Sequence, residues 1–213
     1  MRAMPATDSR PGRSPKVGGL WAIGGVVALL AALGAYRTVD DPDLFWHLKV
    51  GESILAQRAV PAVDEFSFTF AGHPCSLDWA SEAMMAALHA HFGEGGLFAL
   101  AALLAAATML LTALRMRGLP LLAAPATVFL LLVYDVASFR FSPRPQTFLF
   151  VCLGVLMWLF ERAEAQHDLR PLWGIPVLVL LWTNLHISSF IVVVFAGAFL
   201  PFAGEASPVE AAR

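Results

Sequence analysis

The sequence predicts an all-α fold: a polytopic bundle of about six transmembrane helices with a long external loop after the first. Three observations predict it. Hydrophobic residues make up 58% of the chain and charged residues only 14%, against about 25% charged in an ordinary soluble domain. The charges are segregated, which leaves uncharged runs of membrane length. The one long polar stretch, residues 37–94, falls between the first two of those runs.

The elements follow in order. Residues 1–16 are rich in Pro, Arg and Ser and predict a disordered cytoplasmic tail. The apolar run 17–36 is longer than the ~7–15 residues of a signal-peptide core, so it reads as an uncleaved first span. Further spans are predicted at 95–114, 119–139, 145–160, 171–185 and 187–202, with a C-terminal tail at 203–213. Residues 171–202 barely suffice for two crossings at ~20 residues each. Thr183, Asn184, His186, Ser188 and Ser189 interrupt that run. Two short helices joined at a polar knot are favoured over one long tilted helix. Cys75 in the loop and Cys152 in a span belong at different depths, so no disulfide is expected between them.

Lys and Arg set the orientation. Counting flanks alternately, one side receives Arg2, Arg10, Arg13, Lys16, Arg115, Arg117, Arg162, Arg170 and Arg213. The other receives Arg37, Lys49, Arg58, Arg140 and Arg144. The N-terminus is therefore expected in the cytoplasm. Loop 37–94, the turn at 139–145 and the knot at 184–188 are expected outside. Formal net charge is −2, which gives no basic footprint for nucleic acid.

The loop has a pattern of its own. Asp41 suits a helix N-cap and Pro42 the first helical position, where a missing N–H costs nothing. Trp46, Val50 and Ile54 recur on one face, as in an amphipathic helix lying on the bilayer. Phe66-Ser67-Phe68-Thr69-Phe70 alternates like an extended segment, and a turn follows at 71–74. A second short helix is expected from 78 to 92, with Asp78, Glu82 and His89 on roughly one face. Asp64, Glu65 and Glu82 read as a solvated loop face.

Three polar clusters carry the candidate chemistry. In Asp40-Asp41-Pro42-Asp43-Leu44-Phe45-Trp46-His47, Asp43 and His47 are four apart and should meet on a helix. With Asp41 they form an oxygen-rich set that suits a hard divalent ion, Mn²⁺ or Mg²⁺. Helix capping and the helix dipole are the plainer explanation. In Phe139-Arg140-Phe141-Ser142-Pro143-Arg144-Pro145-Gln146, two arginines on a stiff turn suit a phosphate or pyrophosphate at the headgroup plane. Headgroup anchoring by snorkelling is the alternative. In Trp182-Thr183-Asn184-Leu185-His186, Asn184 and His186 suit a phosphate or a sugar hydroxyl, with a helix-end cap as the other reading. All three clusters fall on the predicted outer face.

The run from Asp41-Pro42-Asp43 through His47-Leu48-Lys49-Val50-Gly51-Glu52, then Val60-Pro61-Ala62-Val63-Asp64, resembles the first external loop of the GT-C glycosyltransferases. Oligosaccharyltransferase catalytic subunits and protein O-mannosyltransferases share that layout. The Arg-Pro turn and the Trp-x-Asn-x-His knot resemble bacterial relatives. The likeness covers residues 17–202. It implies a multi-pass protein of the bacterial inner membrane. Such a protein moves a sugar from a polyprenyl-phosphate donor to an acceptor on the outer face. The resemblance implies that Asp41, and less directly Asp43, binds a metal or activates the acceptor, while Arg140 and Arg144 hold the lipid phosphate. The second acidic motif of oligosaccharyltransferases is replaced here by Ser-Pro-Arg-Pro. The chain is expected to match the amino-terminal half of such an enzyme, completed by a second membrane subunit. The alternative function is a non-catalytic scaffold or lipid-phosphate-binding subunit. A transporter is disfavoured, because mid-membrane ionisable residues and an inverted repeat are missing.

Overall fold

The structure, a computed structural model, describes residues 17–35, 42–74, 78–116 and 123–199. The described residues form α1 (Val17–Ala35), α2 (Pro42–Gln57), α3 (Trp79–Arg115), α4 (Ala123–Ser138), α5 (Thr147–Gln166), α6 (Gly174–Leu185) and α7 (Ile191–Phe199). Short 3-10 turns, Arg170–Trp173 and Ile187–Phe190, lead into α6 and α7. Among the described residues there is no strand, only an isolated bridge between Val63 and Pro74. The all-helical class read from the sequence is what forms.

Each expected span coincides with a helix, but their lengths differ from expectation. The expected loop helix at 78–92 and the span at 95–114 merge into α3, 37 residues long. Gly93 kinks it with φ 62° and ψ −154°, a backbone region open essentially only to glycine. Among the described residues α3 is the one helix long and apolar enough to cross a membrane. Ala22–Ala35, Pro125–Ser138 and Ile187–Phe199 are apolar but shorter. The last turns of α5 hold Glu161, Arg162 and Glu164.

Small residues let the central helices approach. Ala28, Ala31 and Ala35 of α1 are buried against Ala101, Ala105 and Ala113 of α3, with Met109 of α3 and Leu130 of α4 beside them. Close backbone contact maximises dispersion where no large side chain intervenes. Gly24, near the start of α1, faces Ala113, near the end of α3, so these helices are antiparallel. Arg115 donates to Glu161 at 2.7 Å and ties the end of α3 to the end of α5. A second core joins Leu156, Leu159 and Phe160 of α5, Leu178 and Trp182 of α6, and Val192 of α7. Phe199 stacks on Phe160 with centroids 4.5 Å apart, while Gly174, at the start of α6, lies against Leu159. The chain therefore turns back at the knot, and α6 and α7 form a hairpin. The two-helix reading of this region holds over its described part.

The loop after α1 differs from expectation. The buried face of α2 is Leu44, Leu48, Val50, Gly51 and Ile54, with Leu44 and Leu48 packed on Met85 and Leu97 of α3. Phe45 and Trp46 stay exposed. The apolar stripe is thus used on protein rather than left for the bilayer, and Trp46 is not part of it. Gly51 makes this possible. A Cβ there would run into the backbone carbonyl of Glu82 and come within 2.8 Å of Ala86 Cβ. Residues 66–70 form a turn, not an extended segment. The Asp64 carboxylate accepts from the Phe66 and Ser67 N–H groups at 2.8 Å and from the Ser67 hydroxyl. These bonds, the Ser67 hydroxyl foremost, hold the Asp64 carboxyl below its ordinary range.

Candidate functional site

The antiparallel packing brings four distant segments to one end of the bundle. They are the start of α2, the start of α3, the Arg-Pro turn and the knot after α6.

The Arg-Pro turn is held from beneath. Phe141 is buried and meets Phe150 edge-on, with centroids 5.8 Å apart. Thr147, wholly buried, donates through its hydroxyl to the Ser142 carbonyl at 2.6 Å. With Pro143 and Pro145 fixing φ on either side, Arg144 is aimed at α2. Its Nη2 lies 3.5 Å from Asp43 Oδ2. Arg140 diverges from it. Its Nη1 donates to Gln146 Oε1 at 3.1 Å, and its guanidinium lies 4.9 Å from the centre of the Phe139 ring. The two arginines expected to act together therefore point to different partners. Asp41 lies outside the described residues, and α2 begins at Pro42.

His47 was expected to meet Asp43. It turns instead to α3, where Nδ1 lies 2.9 Å from Glu82 Oε1. Glu82 is fully buried, and its Oε2 has no hydrogen-bond partner among the described residues. The reading of Glu82 as a solvated loop residue is overturned. The close seat of Gly51 against Glu82 brings α2 near enough for His47, one turn earlier, to reach the carboxylate.

The knot is clasped to the start of α3. Asp78 Oδ1 accepts from the Ile187 N–H at 2.9 Å, Ser81 Oγ donates to the Leu185 carbonyl at 2.8 Å, and Trp79 Nε1 donates to Asn184 Oδ1 at 2.6 Å. Asn184 Nδ2 also donates to the Leu180 carbonyl at 2.6 Å, so this residue is a structural tie at both ends. His186 adopts an extended backbone, φ −165° and ψ 139°, and breaks the helix. Burial pushes its pKa below the ordinary value. The Asp78 carboxylate opposes that shift and the nearby His47 adds to it.

The spacing of Asp41, Asp43 and His47 suggests a Mn²⁺ or Mg²⁺ site, and the resemblance implies a metal or base role for Asp41 and less directly Asp43. Such ions want several converging oxygen ligands. Among the described residues no three His, Cys, Asp or Glu side chains converge in that way. Asp43 engages Arg144, and the Nδ1 of His47 engages Glu82. The described residues do not by themselves fit such an ion.

Of the sequence-predicted residues, Asp43, Arg144, His47, Asn184 and His186 gather at this end. Arg140 lies on the same turn but faces its own loop. Glu82 and Asp78 were missed as site residues. Their signal was the i, i+4 pair of carboxylates opening a helix that carries no charged residue from Gly95 to Leu114. Comparison with known proteins gives no match: no family model, no curated protein and no solved structure is similar to the chain.

Proposed function

We propose that the chain is a membrane glycosyltransferase of GT-C type, or the amino-terminal portion of one. It would cross the bacterial inner membrane about six times. It would move a sugar from a polyprenyl-phosphate donor to an acceptor on the outer face. The observation that carries this reading is the pairing of Asp43 with Arg144 beside the His47–Glu82 pair, at one end of an apolar bundle. A lipid-linked phosphate sits where apolar helices give way to polar loops, and an arginine there stabilises the charge that develops on the leaving phosphate. Arg144 takes that role and Arg140 assists from the exposed side of the turn. Asp41 is assigned, by resemblance alone, to the acceptor side. The short apolar helices α6 and α7 are counted as spans on the same reading.

One observation favours a second reading. Asp43 faces Arg144 and partly offsets its charge, as in a site that holds a phosphate lipid without turning it over. A single assay separates the two. Membranes containing the full chain, with any second subunit native to them, are supplied with a radiolabelled polyprenyl-phosphate sugar. The transferase reading expects label to leave the lipid, with transfer lost in Asp41→Asn and reduced at least tenfold in Arg144→Gln. Lipid binding without transfer, indifferent to Asp41→Asn, would establish the scaffold instead.

A further inference from the structure

The far end of α2 builds a second feature, away from the Asp43–Arg144 pair. The helix closes at Gln57, and Arg58 follows it with φ 53°. Helices commonly end in a left-handed residue, and that residue is usually glycine, which takes the conformation without steric cost. An arginine there is an outlier, and strained backbone beside a cavity points to function. The chain turns at Arg58, so that Val60 shares a cleft with the first turn of α3.

That cleft measures about 420 Å³, and Ile54, Leu55, Arg58, Val60, Trp79 and Ala83 are among its walls. Small-molecule sites commonly enclose about 300–1,000 Å³. The Trp79 wall is fixed in place. Its Nε1 donates to Asn184 Oδ1 at 2.6 Å, and Asn184 Nδ2 is tied to the Leu180 carbonyl. The indole is thus held by the knot, although Trp79 stays 39% exposed.

Arg58 is the charged member of this lining, and no acid belongs to it. The ion pairs of the described residues join Lys49 to Glu52, Arg115 to Glu161, Arg144 to Asp43 and Arg170 to Asp168, and Arg58 enters none of them. Glu52, the last acid of α2, is engaged by Lys49. The Asp64 carboxylate, beyond the turn, is engaged by Phe66 and Ser67. An apolar cleft with one cation and no offsetting acid is complementary to an anion on an apolar body.

We propose that this cleft binds a small organic acid, a carboxylate or phosphate carried on a compact apolar or aromatic body. A guanidinium matches either anion with two parallel hydrogen bonds. The indole of Trp79 offers a flat apolar face to the body. The cleft's dimensions favour a ring or a branched alkyl group over a long chain. Its α3 wall, Trp79 to Ala83, is one helical turn, about 6 Å. The site stands about 20 Å along α2 from Asp43, so it is separate from the Arg144 turn and does not depend on the transferase reading.

The full chain, carrying 5-fluorotryptophan in lipid nanodiscs, is titrated with 4-tert-butylbenzoate and, in a parallel sample, with the uncharged 4-tert-butylbenzamide. Fluorine NMR follows the Trp79 signal, assigned by its loss in Trp79→Phe. The benzoate should shift it saturably, and the amide should bind at least tenfold more weakly. Arg58→Gln should weaken the benzoate at least tenfold, and Arg144→Gln should leave its affinity unchanged. Acetate, which has no apolar body, should not move the signal. The proposal is overturned by the absence of a saturable shift, by equal affinity for benzoate and amide, or by equal affinity in wild type and Arg58→Gln. Loss of binding in Arg144→Gln, or a shift with acetate, would overturn it as well. So would a parallel shift of Trp173, exposed before α6, which would show partition into lipid only.

Discussion

Glu82 shows how one residue's role depends on what covers it. In the sequence it is one acid among nine in a long loop; in the fold it is a carboxylate without solvent, facing a single imidazole. Removing the partner of a buried charge costs about 3–5 kcal/mol, whereas replacing both members by apolar groups is often neutral. His47→Leu should therefore lower unfolding free energy by about 3 kcal/mol or more, and adding Glu82→Met should restore most of it. Denaturant unfolding in detergent measures both, and simple additivity of the two changes would show that the pair is not coupled. His186 gives a pH prediction. Its folded pKa lies below the unfolded value of about 6.5. The unfolded chain therefore binds the proton first as pH falls. The stability due to neutral His186 is complete above about pH 6.5 and is lost as pH drops from there toward the folded value. The groups facing this ring are Asp78, His47 and Ser188. Thermal unfolding between pH 8 and pH 5 should fall more steeply in the wild type than in His186→Gln.

Among the elements, α2 and the start of α3 set the site's dimensions. The Gly51 close approach decides whether His47 reaches Glu82 at all. Gly51→Ala must push α2 outward or strain it, which costs typically about 1–3 kcal/mol. It should also lengthen the His47–Glu82 contact, which imidazole nitrogen NMR would detect as a change in the His47 ring; an unchanged ring would show that α2 has slack. Thr147 plays the matching part under the Arg-Pro turn. Thr147→Val keeps the shape but leaves the Ser142 carbonyl without its hydroxyl donor, for about 1 kcal/mol. Helix positions were legible, because the apolar runs are long and uncharged and the prolines of α4 and α6, Pro125 and Pro176, fall in the first turn, where a missing N–H is tolerated. The face of α2 was not. Both Trp46 and Leu48 fit an apolar stripe, and only the site of closest approach, fixed by a glycine with no side chain to announce itself, selects between them. The turn at 66–70 was misread for a related reason. Alternating Phe suggests a strand, but the local bonds from Asp64 compete with extended pairing and win where no neighbouring strand is available.

At the scale of the whole molecule, α3 and α5 run one way and α1 and α6 the other, which puts the α2 loop, the Arg-Pro turn and the knot at the same end. The Arg115–Glu161 pair and the start of α6 lie at the other. If this bundle spans a membrane as proposed, single cysteines at Ser67, Phe139 and Ile187 in a background without Cys75 and Cys152 should all react with an impermeant maleimide from one side. A cysteine at Gln166 should react only from the other. Mixed sidedness among the first three would dismantle both the six-span topology and the shared site.

The sequence by itself determined that the chain is helical, where its apolar helices run, and that polar clusters interrupt them at 41–47, 139–146 and 182–189. Those are local properties: composition, periodicity, and breakers such as proline and the polar knot. Tertiary structure alone decided which side chains meet. It paired Asp43 with Arg144 rather than with His47, separated Arg140 from Arg144, and buried Glu82 under α2. The physical reason is that pairing depends on the distance between helices and their rotation. Those quantities are set by small residues such as Gly51 and Ala113, whose importance lies in what they leave out.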